Sequence, residues 1–189
     1  MKIAVLVKQV VGSESSLDIS PDNKWIDESN ATFVMNPPDS YAIEEAMNIK
    51  EKIGEGEVVI VSMGVDSVQK VIREALSKGA DRGIHIQTEG TAYIDPLNTA
   101  KNIVSALDEE NFDLILSGLQ SDDTGMGQTG VLVGELLNMS TATLAIETDI
   151  DSEKIRVKFY FQFIKILHEN SSISKTSCWL RVFSRDFLR

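Results

Sequence analysis

Short apolar runs alternate along the chain with stretches in which apolar residues recur every three or four positions. The first run, residues 3–7, has strand length and is closed by Lys8, as expected of a central parallel strand covered on both faces. Residues 58–62, Ile84-His85-Ile86 and residues 114–116 repeat that signature. Between them, Ala42, Ile43, Ala46, Ile49 and Ile53 form one helical stripe that Gly54 stops, and Val68, Val71, Ile72, Ala75 and Leu76 form a second. Asp39 or Ser40, behind the stiff Pro37-Pro38 pair, is the expected cap of the first helix, and Ser67 that of the second. Asp95-Pro96 opens a third helix through Ala106, and residues 131–137 read as a fourth. Residues 11–32 are polar and turn-rich, with a small hairpin expected between Leu17-Asp18-Ile19 and Lys24-Trp25-Ile26. Residues 141–148 and 154–158 read as paired strands across a polar turn.

This alternation predicts an α/β fold: a doubly wound, mainly parallel, Rossmann-like sheet in three layers with right-handed crossovers. Ligands of such sheets sit beyond the carboxyl ends of the strands, near a topological switch point. Four loops reach that edge, residues 8–11, 36–40, 63–66 and 118–129. The last is the most informative. A strand breaks at Gly118 into a polar loop holding Gly125, Gly127 and Gly130, and a helix begins directly after it. Backbone N–H groups and a helix dipole then converge on an anion, for which a nucleotide phosphate is the natural guest. The spacing is neither a G-x-G-x-x-G fingerprint nor a P-loop.

Charge narrows the guests. A formal net charge of −11 over 189 residues disfavours nucleic acid and anionic membranes, while leaving a local nucleotide site open. No stretch has the apolar length of a bilayer span, and residues 1–8 are too short an apolar run for a signal sequence. The single cysteine, Cys178, has no internal partner, so the expected address is a reducing cytoplasm or a mitochondrial matrix.

Several blocks occur together and in order. They are Val7-Lys8-Gln9-Val10, Met35-Asn36-Pro37 with Asp39, Ala42-Ile43-Glu44-Glu45-Ala46, residues 75–85, Gly118-Leu119-Gln120-Ser121-Asp122-Asp123, and Gly127-Gln128-Thr129-Gly130. Over residues 2–158 the chain thereby resembles the beta subunit of electron transfer flavoprotein. The resemblance implies a non-catalytic subunit of a heterodimer whose alpha subunit carries FAD. The complex would take electrons from acyl-CoA or other dehydrogenases and pass them to a quinone reductase. The beta subunit itself would bind AMP, or a second FAD in bifurcating members; the aspartate pair of the loop favours AMP. Carried over by position, the nucleotide contacts fall on Leu6, on Asn36, Pro37, Pro38 and Asp39, on Met63, and on Gly118, Gln120, Asp122, Asp123, Thr124, Gly125, Gly127, Gln128 and Thr129. Gln128 and Thr129 have donors for a phosphate, Asn36 can bond a base or ribose edge, and Leu6 and Met63 can wall the base.

Plainer roles compete. Asp122 and Asp123 would repel a phosphate and are better suited to bracing their loop; a magnesium site is not expected, since nothing else here suits phosphoryl transfer. His85 fits a packed strand position, Glu44 and Glu45 a solvated helix face, and neither His168 nor Cys178 has a legible activating environment. After Lys158 the character changes. Residues 159–189 contain no glycine, alanine or proline, yet hold the only cysteine and more than half of the aromatic residues. Two units are therefore expected, a nucleotide-binding domain over residues 1–158 and an atypical tail over 159–189, the latter consistent with a frameshifted or truncated reading frame. A chain without the family's carboxyl-terminal arm would also suit a free-standing adenine-nucleotide sensor or stress-type module.

Overall fold

A computed structural model describes residues 1–23, 25–90, 93–150, 155–159 and 180–184, with Phe159 and the last five described by backbone alone. Strand β1 (Lys2–Leu6) lies inside a seven-stranded sheet, third from the β7 edge. It pairs in parallel with β6 (Glu57–Gly64) on one side and β8 (Leu114–Gly118) on the other, and β6 pairs in parallel with β7 (Arg82–Gln87). Two small antiparallel ribbons branch from the loop after β1. In one, β2 (Gln9–Val11) pairs with β5 (Phe33–Met35); in the other, β3 (Asp18–Ile19) pairs with β4 (Ile26–Asp27). The second is the hairpin expected from the sequence. The first is new, since residues 9–11 read as loop.

Among the described residues four α-helices cover the sheet: α1 (Pro37–Ile53), α2 (Gln69–Ser77), α3 (Pro96–Leu107) and α4 (Thr129–Leu136). The alternation of side chains along each strand explains the layering. Ile3, Val5, Val58, Ile60, Leu114 and Leu116 pack on one face against Ala42, Ile43 and Ala46 of α1 and Val71, Ile72 and Ala75 of α2. Ala4, Leu6, Val59, Val61 and Ile115 pack on the other against Ala100, Ile103 and Leu107 of α3 and Val133 of α4. The result is a doubly wound, three-layered α/β fold. Each fully buried Val, Leu or Ile contributes roughly 1.5–3 kcal/mol relative to exposure, so β1, β6 and β8, which hold most of them, dominate the stability of the molecule.

Two caps differ from their sequence reading. Asn36, not Asp39 or Ser40, occupies the cap position of α1; Pro37 and Pro38 fill the first helical turn, where a missing N–H costs nothing. Asp39 is thereby free to reach outside its helix. Ser67 lies in a short 3-10 turn ahead of α2 and donates to Gln9 Oε1 at 2.8 Å, leaving α2 without a side-chain cap. Asp95 does cap α3, accepting from the N–H groups of Leu97 and Asn98 at 3.0 Å.

Beyond α4, β9 (Ser140–Ile150) and β10 (Ile155–Phe159) form the expected antiparallel pair. They do not adjoin the parallel strands directly. Strand β11 (Leu180–Ser184) lies between β8 and β9 and pairs antiparallel with both. The expected change of character after Lys158 falls mainly on residues 160–179, which lie outside the described residues, as do His168 and Cys178.

Candidate functional site

The order of strands reverses at β1: the chain runs outward through β6 and β7, then returns through α3 to add β8 on the opposite side. The loops leaving β1 and β8 diverge there, and the amino-terminal turn of α1 sits over the gap. A Cβ on Gly118 would collide with Asp39 Oδ1 and stand 2.8 Å from both the Cβ and the carbonyl carbon of Pro38. Only glycine lets the end of β8 pass so close beneath α1.

Asp39 holds this junction together. Its carboxylate is buried and accepts from Lys8 N at 2.8 Å and from Gly118 N at 3.0 Å, linking the exits of β1 and β8 across the helix start. Burial pushes its pKa up to about 7, against the pull of those N–H groups, the Asn36 side chain and the Lys8 charge. Asn36, also buried, extends the bracket: Nδ2 donates to Gln120 O at 3.1 Å and Oδ1 accepts from Asp122 N at 3.0 Å. Its own N–H donates to Lys8 O at 2.9 Å. Two short polar side chains thus fix the start of the 118–129 loop relative to β1. Ser62 adds a buried bond of 2.6 Å to Val7 O, which holds the end of β1 against β6.

The rest of the loop braces itself. Thr124 N donates to Asp123 Oδ1 at 2.6 Å, Gly125 N donates to Ser121 O at 3.0 Å, and Lys8 Nζ lies 2.6 Å from Asp123 Oδ2. Partial burial raises the Asp123 pKa, but the bonds from Lys8, Ser121 and Thr124 outweigh it and hold the carboxyl below its usual value. Gly125 and Gly127 both take left-handed backbone, with φ of 62° and 59°, which turns the chain sharply before α4. The first α4 bond runs from Leu132 N to Gln128 O, so the N–H groups of Thr129, Gly130 and Val131 have no carbonyl within the helix. Gln128 stands at the cap position with no side-chain cap bond. These N–H groups are donors of the kind that a helix start offers to an anion.

Direct hydrogen bonds therefore join Asn36, Asp39, Gly118, Gln120 and Asp122 into one unit, with Asp123 and Thr124 attached through Lys8. Pro38 is buried in the same contact, whereas Pro37 is exposed. Leu6 stands in register with Val61 and Ser117, close to the carboxyl edge, but only 7% of its surface is exposed and it packs into the α3-side core. Met63, half-buried, lies in register with Ile86 at the same edge. Sequence reasoning missed Lys8 as a site residue; its signal was its place as the first polar residue after β1. His85 bonds Gly64 O at 2.9 Å, a strand-end role. Among the described residues, no group of three or more His, Cys, Asp or Glu is placed to hold a metal ion, and no helix is long and apolar enough to cross a membrane.

A family model described as the electron transfer flavoprotein domain matches residues 24–175. The chain belongs to the electron transfer flavoprotein family. It is 38% identical over 157 residues to the electron transfer flavoprotein subunit beta of Dictyostelium discoideum, covering 83% of this chain and 62% of that protein. It is 39% identical over 154 residues to the mitochondrial electron transfer flavoprotein subunit beta of Arabidopsis thaliana, covering 82% and 61%. Identity to the human subunit beta is 32% over 160 residues, covering 84% and 63%. The chain thus spans about three fifths of the length of these relatives. Within the family match lie all the loops of the bracketed junction except that of Lys8, which precedes residue 24.

Proposed function

We propose that the chain is a beta subunit of electron transfer flavoprotein that binds an adenine nucleotide, AMP, at the carboxyl edge of its parallel strands. The observation that carries the reading is the bracketed 118–129 loop, with its left-handed glycines and open helix start, in a chain of this family. In this reading Gly125, Gly127, Gln128 and Thr129 face the phosphate, Asn36 and Asp39 hold the cradle in shape, and Met63 with the rim of Leu6 supports the base. The subunit has no catalytic residues of its own. It supports an alpha subunit that carries FAD, and the complex takes electrons from acyl-CoA or other dehydrogenases and delivers them to a quinone reductase. A reducing compartment, the cytoplasm or a mitochondrial matrix, suits the single cysteine.

AMP is favoured over a second FAD because the Asp122-Asp123 pair of the loop resembles AMP-binding members of the family. Co-expression with an alpha subunit of the family tests the assembly. A yellow heterodimer with one FAD supports the reading. A nucleotide-bound homodimer without affinity for the alpha subunit would instead identify a free-standing sensor or stress-type module, and two FAD per heterodimer would identify a bifurcating-type subunit.

A further inference from the structure

The four loops of the carboxyl edge contain Asp39, Asp66, Asp122 and Asp123, and Lys8 is their single basic residue. Its backbone is fixed at both ends of the residue, N–H to the buried Asp39 carboxylate at 2.8 Å and carbonyl to Asn36 N at 2.9 Å. The side chain therefore starts from a rigid point and reaches the loop, where Nζ meets Asp123 Oδ2 at 2.6 Å and Ser121 Oγ at 3.4 Å. The same Asp123 carboxylate accepts from Thr124 N at 2.6 Å. One carboxylate thus takes up both a formal cation and a backbone N–H of the cradle, the two kinds of donor that an anionic ligand would need.

We propose that Asp123 is the resident counter-ion of Lys8 and that a nucleotide phosphate takes the lysine by displacing it. The proposal rests on the adenine-nucleotide reading of the cradle and assigns the phosphate-selective charge to Lys8. Lys8 and Asp123 side chains are 46% and 30% exposed, and pairs so open to water are weak, so exchange of one anion for another is not opposed. A phosphate monoester carries more charge than a carboxylate and offers three oxygens to the lysine and the freed Thr124 N–H. In an otherwise acidic edge the lysine distinguishes a nucleotide from its nucleoside. The released Asp123 leaves the loop free to rearrange around the ligand.

Calorimetric titration of the full chain with AMP and with adenosine tests this in wild type, Lys8→Met and Asp123→Asn. Lys8→Met weakens AMP by about tenfold or more, the loss of one charge-assisted contact, while adenosine stays within about twofold of wild type. Asp123→Asn removes the competitor and tightens AMP several-fold, a gain that misfolding cannot produce. Unchanged AMP affinity in Lys8→Met, equal losses of AMP and adenosine, or weaker AMP binding in Asp123→Asn would overturn the exchange and leave the nucleotide site standing. Wild type that binds neither ligand overturns the nucleotide reading and the exchange together.

Discussion

At the end of β8, Gly118 is required by close approach: Pro38 and Asp39 occupy the space where a side chain would begin. The Pro38 contacts are to backbone and ring in the first turn of α1, and the Asp39 carboxylate is held by the N–H groups of Lys8 and of Gly118 itself, so the clash has little room to relax. Gly118→Ala is expected to destabilise the chain by about 3 kcal/mol, at the upper end of overpacking, measured by urea unfolding. The sequence marked this glycine as a strand exit but not as a helix contact, because the contact joins residues distant in the chain. Asp39 was legible only in part for the same reason. Its place near a helix start suggested a cap, whereas its bonds run to β1 and β8. Its pKa, raised to about 7, means that the native state holds a proton which the unfolded chain has already lost. Stability from this group is therefore full below about pH 4 and falls as pH rises toward 7, by on the order of 4 kcal/mol. Asp81 and Asp123, with lowered pKa values, act in the opposite direction, so the comparison must be with Asp39→Asn. The stability difference between wild type and Asp39→Asn should shrink from pH 5 to pH 8; a difference that grows would mean that the two N–H donors outweigh burial.

Helices and parallel strands were readable from their apolar spacing because both faces of the sheet are covered, and the covering helices are amphipathic. Caps were less readable, since Ser and Asp near a helix start have several possible partners. Asp95 caps α3 and Ser67 does not cap α2. Asp95→Ala should therefore cost about 1 kcal/mol, and Ser67→Ala clearly less, as read from thermal unfolding of the two variants. Strand β11 had no signal. Its partners β8 and β9 are remote in the chain, so no local pattern pairs it with them. Because β11 pairs on both sides, its N–H groups are committed to the sheet. Val182→Pro should cost about 3 kcal/mol or more, since proline removes a donor from a central strand. Unfolding indistinguishable from wild type would show that residues 180–184 do not complete the sheet.

Across the whole molecule the two edges of the sheet have different tasks. At the amino edge, Glu110 bonds Lys2 Nζ and Arg82 Nη2, each at 2.5 Å, and Arg82 Nε bonds Glu57 at 2.7 Å, joining β1, β6 and β7 to the turn before β8. Salt bridges clamp that edge, while the carboxyl edge gathers glycines, buried Asn36 and Asp39, and the single Lys8. The order of the motifs foretold much of this polarity, as the blocks with a family resemblance lie at carboxyl-edge loops or in the helix after them, except residues 75–85, which run from α2 through the amino-edge turn into β7. The fit of α1 over β8 and the pairing of Lys8 with Asp123 could not be foretold, because both depend on three-dimensional closure. In the proposed reading the carboxyl edge holds one adenine nucleotide. The most direct measurement is the nucleotide released on denaturing the purified heterodimer, separated by chromatography and counted per chain. One AMP per beta chain beside one FAD is the expected result. A heterodimer that carries its FAD but releases no AMP and no second FAD would contradict it.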